Sequence, residues 1–169
     1  MRPALLPLLG GLALAASACA TVETPAEPAP APVESGSPAP VPGHDWFFHR
    51  DGAEARLVYG LAESDDLRLG LDCNQGSGRL ALSAIGGPDA KPEILVEAGG
   101  ETGRFPAASE PSQLHDGVFL TAEAATDEPV FRLFRQVGWL ALWQDGEREA
   151  YAPHPASAPE IERFFAFCG

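Results

Sequence analysis

Lysine is almost absent from this 169-residue chain, which carries Lys91 and ten Arg against 24 Asp and Glu. The formal net charge of −13 argues against nucleic-acid binding, because neutralising phosphates requires a cationic surface. The same charge argues against adsorption to anionic lipid through basic side chains. No unbroken apolar run approaches the ~18 residues of a membrane-spanning helix. A hydrophobic content of 45% is normal for a folded domain and excludes a wholly disordered chain.

The N-terminus has the pattern of an export signal. Met1 and Arg2 precede an apolar run from Ala4 to Ala16, and small residues continue up to Cys19. This order predicts a signal peptide over residues 1–18. Small residues directly before a Cys resemble the lipobox of bacterial prolipoproteins, although Ala16 stands where that family most often has Leu. The resemblance implies cleavage before Cys19 and a diacylglycerol on its thiol, so that the partner of this end of the chain is a membrane.

The residues around Cys19 are compatible with two destinations, a lipid-anchored form at the outer membrane and a soluble exported form. Ala20 lies where Asp is the usual signal for retention in the inner membrane, so the lipoprotein resemblance implies an outer-membrane anchor facing the periplasm. Cleavage after Ala20 would also satisfy the small-x-small rule of ordinary export signals. That cleavage would remove Cys19 and leave a soluble periplasmic or secreted protein.

A proline-rich segment follows the candidate anchor. Residues 19–43 contain seven Pro and no aromatic residue, which is too little apolar surface to offset the entropy of ordering. Proline favours the extended polyproline II conformation. We therefore predict a disordered tether over 19–43 that carries a globular domain over 44–169.

The globular segment shows mainly the two-residue period of β-strands. Apolar and polar residues alternate over 55–61, 67–73, 80–84, 94–98 and 118–124, and Gly-, Asp- and Asn-rich turns separate these segments. Short strands at this spacing predict a mainly β fold, an antiparallel sandwich or a small barrel.

Two short helices are predicted near the C-terminus. Residues 128–137 have the apolar spacing of a helix, with Pro129 in the first turn and Gly138 past the end. Ser157 to Glu160 reads as a capping box before the apolar stripe of a second helix. A hairpin around Asp145 lies between them. This order of helix, Gly, hairpin and helix over about 40 residues is similar to the end of small periplasmic β-sandwich proteins such as the invasion-associated locus B family, and no residue role follows from it.

Cys73 and Cys168 remain once Cys19 is assigned to the export signal. Cys73 lies on the apolar face of its strand and Cys168 on the apolar stripe of the last helix, so both are expected to point into the core. An even pair in an oxidising compartment predicts a disulfide. The alternative is two separate buried thiols.

Catalytic, cofactor and metal sites are not indicated by the sequence. His44 and His49, five residues apart in an extended segment, would point to opposite faces, and a metal site needs three or four converging ligands. His115 and Asp116 are interpreted as a hairpin turn, because adjacent residues cannot easily form a base and the group that orients it. The prediction is therefore no catalytic residue, no metal and no cofactor.

The segment from Trp139 to Trp143 is apolar on both faces. Trp139 and Trp143 share one face of the predicted strand. If that face were open, two Trp side chains ~7 Å apart would suit stacking against a sugar or an apolar ligand. The alternative is a strand covered on both sides, which the flanking helices favour.

The sequence thus predicts a lipid-anchored cell-envelope protein whose β-rich domain acts by binding a protein, glycan or lipid. Two alternatives are an envelope hydrolase and a structural accessory of an envelope complex. A pocket holding His115 or His154 against a carboxylate and a nucleophile would favour the hydrolase. An exposed apolar patch would favour the accessory.

Lipidation predicts a simple change of fractionation. Replacing the acceptor thiol in Cys19→Ala should move the protein from the membrane pellet to the soluble fraction, because loss of the acyl chains removes the anchor. Immunoblotting of both fractions measures this. A wild-type protein that is already soluble and begins at Thr21 would contradict the lipobox interpretation.

Overall fold

A computed structural model describes residues 36–113 and 116–169 of the chain. The predicted signal peptide, Cys19 and the tether up to residue 35 lie outside the described residues, as does His115. Residues 37–41 have no regular secondary structure, and the first strand begins at His44.

Within the described residues, nine antiparallel strands form one sheet that curves into a nearly closed barrel, which confirms the predicted β-rich fold. The spatial order is β1-β2-β3-β4-β7-β6-β5-β8-β9. The strands are β1 (His44–Asp51), β2 (Glu54–Leu61), β3 (Leu67–Asn74), β4 (Arg79–Gly86), β5 (Glu93–Ala98), β6 (Glu101–Pro111), β7 (Val118–Ala125), β8 (Leu140–Gln144) and β9 (Glu147–Tyr151).

The inward faces of the strands follow the alternation seen in the sequence. Leu57, Leu71 and Leu82 lie opposite one another on β2, β3 and β4 and are fully buried. Their neighbours along each strand point outwards, because successive side chains alternate across a strand. The alternation therefore sets which residues face the interior.

The longest strand, β6, was not predicted. Its first half pairs with β5 up to Pro106, and its second half pairs with β7 from Ala107 onwards. Gly103 and Pro106 interrupt the apolar alternation and hide the strand in the sequence. A side chain at Gly103 would collide with Val130 and Phe105, so glycine here allows a helix to approach the sheet closely.

Two helices, α1 (Pro129–Val137) and α2 (Ala158–Cys168), lie where the sequence predicted them. Pro129 occupies the first turn of α1, where its missing N–H is not needed. Gly138 ends α1 in the left-handed conformation (φ 79°), and its N–H donates to the carbonyl of Phe134 at 2.8 Å. This is the usual glycine ending of a helix.

The predicted capping box of α2 does not form. The hydroxyl of Ser157 donates to Asp45 of β1 and lies 2.9 Å from the carbonyl of His154, and it accepts no helix N–H. The carboxylate of Glu160 accepts from Arg163 at 2.7 Å, one turn further along the helix. The side chain of Ser157 instead fastens the turn before α2 to the first strand.

The helices supply much of the aromatic core. The ring of Phe134 in α1 lies 5.1 Å from Trp46 of β1 and 5.9 Å from Phe165 of α2. Phe131 stacks on Phe105 of β6 at 5.6 Å. These rings and the inward strand residues form one continuous buried cluster. The two helices therefore fill the concave side of the sheet.

The predicted disulfide joins Cys73 of β3 to Cys168 at the end of α2, with 5.7 Å between their Cα atoms. The turn after β3 adds backbone bonds to the same helix end, since the N–H groups of Gly76 and Gly78 donate to the carbonyls of Phe167 and Cys168. The end of α2 is thus held by covalent and hydrogen bonds.

Side chains close the seam between the two edge strands. The indole N–H of Trp46 in β1 donates to the carbonyl of Tyr151 in β9 at 3.0 Å. The ring of Tyr151 stacks on Tyr59 at 4.5 Å. Burial raises the pKa of Tyr151 well above its ordinary value, and the nearby Glu149 carboxylate adds to this. The hydroxyl of Tyr151 therefore stays protonated and donates to Glu149.

The disulfide predicts non-additive mutations. Cys73→Ala and Cys168→Ala should each lower the free energy of unfolding by about 2–5 kcal/mol, because the bond closes a long loop of the unfolded chain. The double variant should be little worse than either single one, since both remove the same bond. Chemical denaturation measures this, and losses that add up in the double variant would contradict it.

Candidate functional site

Ser157, His154 and Asp45 come together, yet they do not form a catalytic triad. The hydroxyl of Ser157 and the backbone N–H of His154 both donate to Oδ1 of Asp45. The imidazole Nε2 of His154 lies 3.4 Å from the carbonyl of Val41. A triad needs the imidazole between the hydroxyl and the carboxylate. Here the carboxylate of Asp45 instead holds the turn between His154 and Ser157 through hydrogen bonds.

Residues 36–113 and 116–169 contain neither a candidate metal-ligand cluster nor a candidate membrane-spanning helix. No group of three or more His, Cys, Asp or Glu side chains in this part of the chain could hold a metal ion. None of the helices described there is long and apolar enough to cross a membrane. His44 lies 3.5 Å from Asp66, and His49 faces the opposite side of β1, as the alternation predicted.

An apolar groove of about 450 Å³ crosses the outer face of β2, β3, β4 and β7. We call it the outer groove and define it by Val58, Leu67, Gly70, Ile85 and Phe119. Phe119 is 40% exposed and Leu67 is 41% exposed. Sequence alternation placed Val58 and Phe119 on the outward faces of their strands but Leu67 on the apolar face, and it gave no indication that these residues join into one groove.

Strand register explains why these residues meet. Val58 lies opposite Gly70, and Gly70 lies opposite Ser83 in the next strand. Ile85 lies opposite Phe119 in the following pair. Because Gly70 has no side chain, the floor of the groove stays low between these apolar walls. A Cβ at Gly70 would collide with the hydroxyl of Ser83.

Charged side chains border the outer groove. Arg56 forms a two-atom salt bridge with Asp72, at 2.6 Å and 3.2 Å. Arg68 pairs with Asp66 at 2.9 Å. Glu110 lies opposite Phe119 on β6. The groove is therefore apolar in its centre and polar along its edges.

The two tryptophans of β8 and its approach share the outer face, as the alternation predicted, but they are not equally accessible. Trp139 is only 7% exposed, and the guanidinium of Arg148 lies 5.1 Å above its ring. Ala141 and Ala152 pack against it. Trp143 is half-buried. The pair is therefore not an open stacking platform, because Arg148 of β9 lies over the ring of Trp139 and Val137 at the end of α1 packs against the same cluster.

A buried carboxylate, which the sequence analysis missed, positions Trp143. Glu97 is 1% exposed. It accepts the indole N–H of Trp143 at 3.0 Å and two N–H groups of Arg148 at 2.9 and 3.2 Å. The alternation had placed Glu97 on a solvent face. The available signal in the sequence was the apolar face of β8 that carries the tryptophans. An apolar outward face has to be covered by side chains of neighbouring strands, and Glu97 lies on the strand that pairs with β8.

A small cleft of about 220 Å³ lies beside Trp143. Leu95 lies opposite Trp143 in the neighbouring strand. The carboxylate of Glu93 pairs with Arg104 at the border of the cleft. Hydrogen bonding to Arg104 holds the pKa of Glu93 below its ordinary value, so this carboxylate stays ionised.

Comparisons with known proteins add no family to this geometry. No protein-family model matches the sequence, and no curated protein and no solved structure is significantly similar to it.

The buried ion pair predicts a large stability effect with an exposed pair as its control. Arg148→Leu should lower the free energy of unfolding by about 3 kcal/mol, because it leaves the Glu97 charge buried with one remaining donor. Arg79→Leu removes a pair in which both side chains are exposed and should cost about 1 kcal/mol or less. Denaturant unfolding of both variants tests this, and equal losses would show that Glu97 gains water when Arg148 is removed.

Proposed function

We propose that this chain is an exported, lipid-anchored cell-envelope protein whose β-rich domain acts by binding another envelope protein through the outer groove. The observation that carries this proposal is the exposed apolar groove on the outer face of the sheet. Exposed apolar surface is costly in water, and a contiguous stretch of it with a polar border is typical of interaction sites.

The composition of the groove supports a protein partner. Specific protein interfaces combine an apolar, often aromatic centre with a polar rim. Phe119 and Ile85 supply the centre, and the Arg56–Asp72 and Arg68–Asp66 pairs supply the rim. Paired charges of both signs along the border suit the mixed surface of a protein. Asp65 and Glu110 add further acids to the border, and this excess of negative charge does not favour an anionic lipid head group.

The envelope location rests on other observations. The first 19 residues carry the export pattern, and the domain contains a disulfide between Cys73 and Cys168. Disulfides persist in oxidising compartments and are rare in the cytosol. A tethered binding domain also agrees with the interpretation as a structural accessory, for which an exposed apolar patch was the expected sign.

Site-specific photo-crosslinking tests this function in intact cells. A benzophenone amino acid in place of Phe119 should give one discrete protein adduct in the membrane fraction, because the side chain lies in the groove. Leu61, which is 37% exposed and outside the groove, is the matched control position. The adduct should be lost when Ile85→Asp places a charge in the groove.

Two outcomes would contradict the proposal. One is the absence of a protein adduct at position 119, including the case in which lipid alone is labelled. The other is the same adduct at position 61, which would place the contact outside the groove. Thermal unfolding of each variant confirms that the domain remains folded.

A further inference from the structure

A second site lies on the part of the sheet formed by β5, β6 and β8, away from the outer groove. We name it the Trp143 cleft and define it by Lys91, Glu93, Leu95, Arg104, Trp143 and Asp145. Neither the export pattern nor the outer groove accounts for it. Its interpretation goes beyond the proposed function and does not rest on it.

The orientation of Trp143 is set from inside the protein. Its indole N–H is already bound to Glu97, whose other oxygen is held by Arg148. A buried carboxylate is costly unless it is paired and hydrogen-bonded. Glu97 is both, and it thereby holds a half-buried aromatic ring in one position. A pre-oriented ring loses little conformational entropy when a ligand binds to it.

The floor of the cleft is apolar, and its border carries balanced charges. Leu95 and Trp143 are cross-strand neighbours on the same face. Around them lie two acids, Glu93 and Asp145, and two bases, Lys91 and Arg104. Because the formal charges of these four side chains balance, they favour neither an anionic nor a cationic ligand. The same side chains supply hydrogen-bond donors and acceptors next to an apolar floor.

The size of the cleft limits the ligand further. Pockets for drug-sized molecules occupy roughly 300–1,000 Å³, whereas this cleft has about 220 Å³. One ring of a small ligand therefore fits. A pyranose ring combines an apolar C–H face, which stacks on an aromatic surface, with hydroxyl groups around its edge that donate and accept hydrogen bonds.

We propose that the Trp143 cleft binds one neutral sugar ring, either free or as the terminal residue of a glycan. Trp143 and Leu95 contact the C–H face of the ring. The carboxylates of Glu93 and Asp145 accept hydrogen bonds from hydroxyl groups, while Lys91 and Arg104 donate to them.

Titration of the full mature chain with neutral sugars tests this proposal. The probes are glucose, galactose, mannose and N-acetylglucosamine, each up to ~10 mM, a range that covers affinities near 1 mM. The indole N–H signal of Trp143 in a two-dimensional NMR spectrum should shift in a saturable manner with at least one probe. The indole signals of Trp46 and Trp139, whose side chains are buried, should remain unchanged.

Three variants define the site. Trp143→Leu should weaken binding at least about tenfold, which corresponds to ~1.4 kcal/mol. Lys91→Met changes an exposed residue at the border and should weaken binding by about threefold without affecting the fold. Phe119→Ser alters the outer groove alone and should leave sugar binding unchanged, so the two proposals can fail separately.

The proposal is overturned if none of the four sugars shifts the Trp143 signal. It is also overturned if the Trp143→Leu and Lys91→Met variants bind a sugar as tightly as the wild type does. Because Trp143→Leu has no Trp143 signal, binding to both variants is followed by the NMR signals of the sugar. If Trp143→Leu does not fold, Lys91→Met decides the question.

Discussion

A nine-stranded sheet that curves into a barrel encloses more space than its own side chains readily fill, since eight strands already leave an interior just wide enough for them. Here the aromatic stripes of α1 and α2 occupy that space, with Phe131, Phe134, Phe164 and Phe165 all nearly fully buried. The disulfide and the backbone bonds at Gly76 and Gly78 hold the second helix in place. The packing of the inward-facing strand side chains depends on these two helices, because tightly packed interiors tolerate few voids.

Filling the interior with helices leaves the outer face of the sheet without a second layer. Most outward positions are polar or charged, as water requires. The outer groove and the surroundings of Trp143 are the two described regions in which we find apolar side chains meeting on that face. In one, Gly70 keeps the floor low. In the other, Glu97 takes a buried position in order to hold a tryptophan. The groove accounts for the glycine at position 70, and the orientation of Trp143 accounts for the buried Glu97. Packing of the core explains neither residue.

The sequence pattern predicted much of the fold and little of the candidate sites. Alternation located β2, β3, β4, β5 and β7, and the 3.6-residue period located both helices, because these periods follow directly from backbone geometry. The strand β6 was missed, since Gly103 and Pro106 disrupt its alternation. Glu97 was assigned to solvent, and the capping box at Ser157 was wrong. In each case a contact distant in the chain replaced the local preference: α1 at Gly103, Arg148 at Glu97, and Asp45 at Ser157.

The sequence by itself determined the strand and helix periods and the inward face of the elements that those periods located, and it favoured the pairing of Cys73 with Cys168. These depend on neighbours along the chain, on the hydrophobic effect and on cysteine number. Only the tertiary structure decided which outward residues become neighbours. Strand order β4-β7-β6-β5-β8 brings residues far apart in the chain side by side, as in the pairing of Ile85 with Phe119 and of Leu95 with Trp143. A groove or cleft on a sheet surface is a property of strand order and register, and no local period along the chain records either.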